Sequence, residues 1–258
     1  MNLPRICAAV AAAALASLAA TSLADDFRVE NKVFVGAQQQ PVSQSTTLFS
    51  GGRVYDFLQD PGSVAVFDKP AERFVLLDPS RQMKTEITTA EMLAFTARLH
   101  TWAESQKRPF LAFALDPKFD VTFDEKHGGL ALKSAWLNYE LETKAGSSSN
   151  SSMQYREFSD WYARLNAMLH PGSNPPFARM AVNAELARRQ RVAQKVKLTI
   201  TGDGPIAGSK TELRSQHQFT WRLLAQDVEQ IARTAAQMKD FKAASFAEFS
   251  AGKAYARR

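Results

Sequence analysis

The chain is almost without cysteine. Its one thiol, Cys7, sits in the only apolar run of any length, at the N-terminus. Elsewhere no segment approaches the roughly 20 apolar residues that a spanning helix requires. The opening stretch, "MNLPRICAAVAAAALASLAATSLADDF", has a cationic start (Met1, Arg5) and an alanine-rich middle, with Ser22 and Ala24 at −3 and −1 of a cut before Asp25. These features read as a cleavable signal peptide over residues 1–24, and they place the processed chain in the periplasm or outside the cell. Cys7 does not follow a small-residue triplet, so a lipidated N-terminal cysteine is not expected. Removing it excludes disulfides, cysteine nucleophiles, cysteine-ligated zinc and iron–sulfur clusters, and leaves stability to burial.

Catalytic signatures are equally scarce. The chain contains no G-x-S-x-G elbow, no H-E-x-x-H, no phosphate-loop lysine motif and no G-x-G-x-x-G after a strand. Only four histidines occur. His127-Gly128-Gly129 echoes the oxyanion triplet of some esterases, but it lies where a hairpin must turn and no nucleophile elbow follows. Asp124, Glu125 and His127 crowd one turn without a distant second histidine, a pattern of solvated side chains rather than metal ligands. No catalytic residue, metal ligand or cofactor is assigned from the sequence. A non-enzymatic protein is the simplest expectation, with a hydrolase of unrecognised site as an alternative.

Charge of neither sign dominates. The formal charge of +6 over 258 residues becomes +5 over 234 when residues 1–24 and their one charge, Arg5, are removed. Basic residues gather in "ARMAVNAELARRQRVAQKVK", where no acid follows Glu185. Two readings stay open. Arg188, Arg189 and Arg191 are either a solvated helix end whose cations oppose the C-terminal dipole, or a transient contact with a membrane surface or an acidic partner. No aromatics interleave with these arginines and the address is exported, so nucleic acid is not an expected partner.

What is abundant is alternation. Between Phe27 and Ile87 the pattern predicts strands over 27–35, 43–50, 53–58, 63–68, 73–78 and 83–87, punctuated by Gly36, Pro41, Gly51-Gly52, Pro61-Gly62, Pro70 and Pro79. The gaps suit an antiparallel meander. In "RFVLLD" both faces are apolar: Phe74 and Leu76 oppose Val75 and Leu77, so something must cover each side. A helix is predicted from Thr88, whose cap Glu91 completes as a capping box, with Met92, Phe95, Leu99 and Trp102 as its covering stripe. Strands resume after Pro109 and Pro117 and form a hairpin. "GSSSNSS", Gly146 to Ser152, reads as a flexible loop. Beyond it come an aromatic-rich amphipathic helix, a second helix near Pro175-Pro176, two further strands and C-terminal helices, the first with Val228, Ile231, Ala235 and Met238 on one face.

The run "LFSGGRVYDF", then "VAVFD" and "RFVLLDPSRQMKTEI" leading into a helix, resembles the LolA/LppX-type periplasmic lipoprotein-carrier fold. That resemblance implies a strongly curved antiparallel sheet, an incomplete barrel, with helices lidding its concave side and acyl chains held between. It covers mainly residues 27–143. A helical pair at 154–190 and an extended C-terminal tail depart from the family, and no family functional residue maps onto this chain. The expectation is one α+β domain over 25–258, binding a lipid, acyl chain or lipoprotein in an apolar space lined by Val75, Leu77, His217, Phe219 and Trp221. An envelope structural or assembly protein acting through its surface is the alternative.

Overall fold

The computed structural model describes residues 25–60, 62–202 and 209–251. The signal-peptide reading of residues 1–24, with Cys7, and most of the "GDGPIAGS" connection fall outside them.

The first six strands are β1 (Phe27–Val35), β2 (Ser43–Ser50), β3 (Arg53–Leu58), β4 (Ser63–Asp68), β5 (Arg73–Asp78) and β6 (Met83–Thr88), each antiparallel to the next. Gly51 and Gly52 turn β2 into β3 with φ of +58° and +78°. Two positive φ values in a two-residue loop match the right-handed twist of the flanking strands, and glycine adopts them at little cost. After α1 (Thr89–Ser105) and α2 (Pro109–Leu115) come β7 (Asp120–Asp124), β8 (Gly129–Lys133) and β9 (Leu137–Ala145). They are followed by α3 (Ser149–Leu169), α4 (Phe177–Arg188), β10 (Arg191–Thr201) and β11 (Lys210–Thr220). The described chain closes with α5 (Ala225–Asp240), β12 (Lys242–Ala243) and α6 (Phe246–Ala251).

Among the described residues all twelve strands join one sheet in the order β12-β6-β5-β4-β3-β2-β1-β11-β10-β9-β8-β7, antiparallel except where β12 joins β6. β7 and β12 do not meet, so the sheet is open. It is also curved. Phe158 of α3 lies 5.7 Å from Phe49 on β2 and 6.5 Å from Phe74 on β5, closer together than the roughly 14 Å that three interstrand spacings occupy in a flat sheet. This is the α+β architecture the sequence implies, an incomplete barrel with helices packed on it.

Helix α3 lids the concave face. Tyr155, Phe158 and Leu165 meet Phe27, Phe49, Phe67 and Phe74 in one core cluster. Its start differs from expectation. The serine-rich stretch is the first turn of this helix, because Ser148 caps it: Ser151 N–H donates to Ser148 Oγ at 3.0 Å and Ser148 N–H to Ser151 Oγ at 3.1 Å. Serines compete with the helix in its interior but satisfy orphan amides at its start.

The predicted capping box of α1 is present, with Glu91 N–H donating to Thr88 Oγ1 at 3.1 Å and Thr88 N–H to Glu91 Oε2 at 2.7 Å. Its covering stripe is the predicted one only in part, with Phe95 and Leu99 half-buried. Met92, Thr96 and Ala103 are buried while Trp102 is 51% exposed, because α1 packs beside α2 and α3 at the end of the sheet. Strands resume after Pro117 as expected, and between the two prolines Phe110, Leu111 and Ala114 form a helical turn over the β8–β10 end.

The outer face of β5 is covered by α5. Val75 and Leu77, 1% and 0% exposed, join Leu48, Tyr55, Phe57 and Val66 beneath Ile231, Met238 and Phe241. Compared with the expected stripe, α5 is rotated by one residue, so that Asp227 points inward and Val228 outward. Asp227 meets the buried Arg28 of β1, whose Nη1 donates to Oδ1 at 2.8 Å. It also accepts the Leu224 N–H at 2.8 Å. Two donors on one carboxylate offset part of the cost of burying it.

Candidate functional site

Strand register arranges the concave face in rows. In one row Asp56, Thr47, Val29 and Phe219 lie side by side from β3 to β11. The next holds Leu58, Ser45, Asn31 and His217, the next Ser43, Val33, Ser215 and Val196, and the last Val35, Leu213 and Leu198. The first row lies beneath α3. Beyond it the cover thins: Val33, Val35, Leu198, Leu213 and Ser215 are only half-buried. Val33, Val35 and Leu213 belong to none of the core clusters. The sheet thus presents an apolar strip that no helix among the described residues covers completely.

A polar chain borders that strip. Thr47 Oγ1 donates to Asp56 Oδ1 at 2.7 Å, and Asn31 Nδ2 donates to Thr47 Oγ1 at 2.9 Å and to Ser45 Oγ at 3.2 Å. The amide oxygen of Asn31 can only accept, so the His217 Nδ1 facing it at 2.8 Å carries the proton. His217 Nε2 then accepts from Ser215 Oγ, also at 2.8 Å. At the other end Tyr162 of α3 donates to Asp56 Oδ2 at 3.0 Å. Every link has a defined direction, which suits polar groups shielded from water.

Ser215, His217 and Asn31 have the spacing of a nucleophile, base and orienter. Their electrostatics oppose that use. Burial, with the charge of Arg179 adding to it, lowers the His217 pKa to about 3. A base of that strength does not take the serine proton at neutral pH. The orienting group is a neutral amide, which does little to stabilise an imidazolium. The row is thus an internal hydrogen-bond chain that ties β1, β2, β3 and β11 together.

Arg179 sits in the first turn of α4. It lies three residues before Val182 and seven before Leu186, both buried against the sheet, so its side chain leaves the same helix face. Half-buried, it makes no hydrogen bond and no ion pair to another described residue. Its charge reaches Tyr139 of β9, Tyr155 of α3 and His217 of β11: burial raises both tyrosines and lowers the histidine, and Arg179 pulls all three down.

The five residues taken from the sequence as cavity lining are not brought together. Strand alternation places Val75 and Leu77 on the outer face beneath α5. Phe219 and Trp221 are on the concave side, stacked at 5.2 Å, with Phe27 5.3 Å from Trp221 and the Lys144 ammonium 5.3 and 5.5 Å from the two rings. Aromatic side chains fill that end. His217 alone borders the half-covered strip. Asn31, Thr47, Asp56 and Arg179 escape sequence reading because they converge only through cross-strand pairing and helix placement. A separate hollow of about 160 Å³ opens between β3, β4 and α3, lined in part by Val54, Phe67 and Phe158. It is smaller than the ligand cavities of roughly 300 Å³ and above.

Of the basic residues, Arg191 is bound in place. Its Nε donates to Thr143 Oγ1 at 2.5 Å and its Nη2 to Thr143 O at 2.8 Å. Its guanidinium packs so closely on the β7–β8 turn that a Cβ on Gly128 would lie 2.5 Å from Nη2. Arg189 pairs with Glu185 and sits 5.1 Å from the Phe123 ring. Arg188 pairs with Glu185 at 3.0 Å and is the exposed member. Among the described residues no group of histidines and acids is arranged to hold a metal, and no helix is long and apolar enough to cross a membrane.

No family model matches the chain and no curated protein matches it in sequence. Among solved structures the chain is similar to a LolA superfamily protein from Nitrosomonas europaea, at 6% identity and a TM-score of 0.28 over 80% of this chain and 90% of that one. A likeness at that level adds no argument to the geometry. The open, curved sheet with its helical lid agrees in class with the fold that the LolA/LppX resemblance implies.

Proposed function

We propose that the protein is an exported, non-enzymatic binder of an apolar ligand, a lipid or acyl chain, laid on the half-covered part of the concave face. One observation carries this reading: Val33, Val35 and Leu213 form an apolar strip outside every core cluster, beside a polar row with its own hydrogen bonds already made. Burial drives the association. At about 25 cal/mol per Å² of apolar surface, a few hundred Å² removed from water supplies several kcal/mol.

The test is a titration with a fluorescent fatty acid, run beside a melting curve for the parent, Val33→Trp and Leu213→Trp. Both positions are half-buried, so both variants are expected to fold with melting temperatures within a few degrees of the parent and to lose tenfold or more in affinity. Equal binding by parent and variants would remove the strip from the site. The aromatic packing under α3 favours a second reading, an envelope protein that acts through its surface. Native-purified protein that yields no lipid on extraction and takes up no fatty acid would support that one instead.

A further inference from the structure

We propose that Arg179 receives the anionic head, carboxylate or phosphate, of an amphiphile whose chain lies along Val33, Val35 and Leu213; this deepens the carrier reading and rests on it. Four observations converge. Arg179 projects from the sheet-facing side of α4, on the line of the buried Val182 and Leu186. It is half-buried and makes no hydrogen bond or ion pair to another described residue, whereas a shielded guanidinium ordinarily finds an acceptor. Its field reaches His217, one row from Ser215 and Val33.

The acids of the neighbouring elements are already engaged. Asp56 accepts from Thr47 and Tyr162. Asp160 of α3 accepts from Asn183 and lies 3.5 Å from Arg156. Glu185 is taken by Arg188 and Arg189. A planar fork of donors with no carboxylate of its own, on a helix face that packs at the Val196 and Leu198 end of the half-covered strip, is complementary to a carboxylate or phosphate carrying a hydrocarbon chain. Asn31 and Ser215, which flank His217, are neutral and add no charge that would repel an anion.

The experiment measures the affinity of the full processed chain for palmitate, hexadecyl phosphate and hexadecanol, with inorganic phosphate as a chain-free probe. The parent is compared with Arg179→Gln and Arg179→Lys. The expected result is that the parent prefers either anionic amphiphile over the alcohol by tenfold or more, as a charge-assisted hydrogen bond provides. Arg179→Gln should abolish the preference while retaining hexadecanol affinity, which also reports that the fold is intact. Arg179→Lys should keep part of it. Equal affinity for all three amphiphiles, or a preference unchanged in Arg179→Gln, overturns the role of Arg179 and leaves the carrier reading standing. Binding of inorganic phosphate without the amphiphiles overturns the amphiphile assignment, and binding of none of the probes overturns both readings.

Discussion

At the scale of single residues the decisive group is His217, held neutral between Asn31 and Ser215. Its pKa falls from 6.5 to about 3 on folding. Over that interval the unfolded chain binds the proton and the folded chain does not, so the neutral histidine's contribution is fully present above pH 6.5 and is lost as pH falls toward 3. Each pKa unit corresponds to about 1.4 kcal/mol. The His217 ring proton signals are therefore expected to show no titration between pH 8 and 4.5 by NMR. The parent should also lose more stability than His217→Gln between pH 6.5 and 4, a comparison in which the carboxylates common to both chains cancel. A midpoint near 6.5 for His217 would contradict the buried relay. The inward direction of His217 was legible from its alternation with Leu213 and Phe219. Its partner was not, because Asn31 lies 186 residues away in sequence and arrives only when β1 pairs with β11.

At the scale of elements the two-faced strand β5 explains the C-terminal tail. The sequence shows that both of its faces need cover, and the cover divides between α3 inside and α5 outside. Six strand positions and the α1 capping box were legible because alternation, glycine turns and caps are local. Which helix covers which face was not: the stripe through Met92, Phe95, Leu99 and Trp102 pointed to α1, which adds Met92 to the concave core, whereas the aromatic side chains of α3 cover most of that side. The helical serine start was hidden because composition favours a loop there and capping overrides it, and α2 because one apolar seven-residue segment opening on a proline shows no clear period. The Arg28–Asp227 pair fixes the rotation of α5, and breaking it should be expensive. Asp227→Ala leaves Arg28 buried beside Glu30 alone and is expected to cost about 3 to 5 kcal/mol in urea denaturation. Replacing both partners with apolar residues should cost less than Asp227→Ala by itself. A loss below about 1 kcal/mol for Asp227→Ala would mean that α5 is not held by this pair.

For the whole molecule the questions are where it resides and what its surface does. The outer face of β9 to β11 carries charges of both signs, with Lys195 against Glu142 and Lys197 between Glu140 and Glu212. That face carries no single-sign field, and the basic stretch must be judged residue by residue. Material recovered from outside the cytoplasm is expected to begin at Asp25, a residue whose carboxylate accepts from Ser148 at the cap of α3. N-terminal sequencing that finds Met1 retained on cytoplasmic protein would reject the exported address. The arginine cluster then gives a sharper test than its composition suggested. Reversing Arg191 breaks two hydrogen bonds to Thr143 and the packing on Gly128, and reversing Arg189 breaks its pair with Glu185, so either change alters the fold before it alters a surface. Arg188 also pairs with Glu185, but its side chain is 64% exposed, so losing that surface pair costs little stability. Near an anionic surface each basic residue is worth about 1 kcal/mol, and Arg188→Glu changes the charge by two units. If the stretch docks on membranes, that single variant should bind anionic vesicles at low salt roughly 30-fold more weakly. Because the neighbouring arginines are turned to internal partners, the expected result is a change of less than twofold in vesicle cosedimentation with an unaltered melting curve. A loss of tenfold or more would make the helix end a membrane contact.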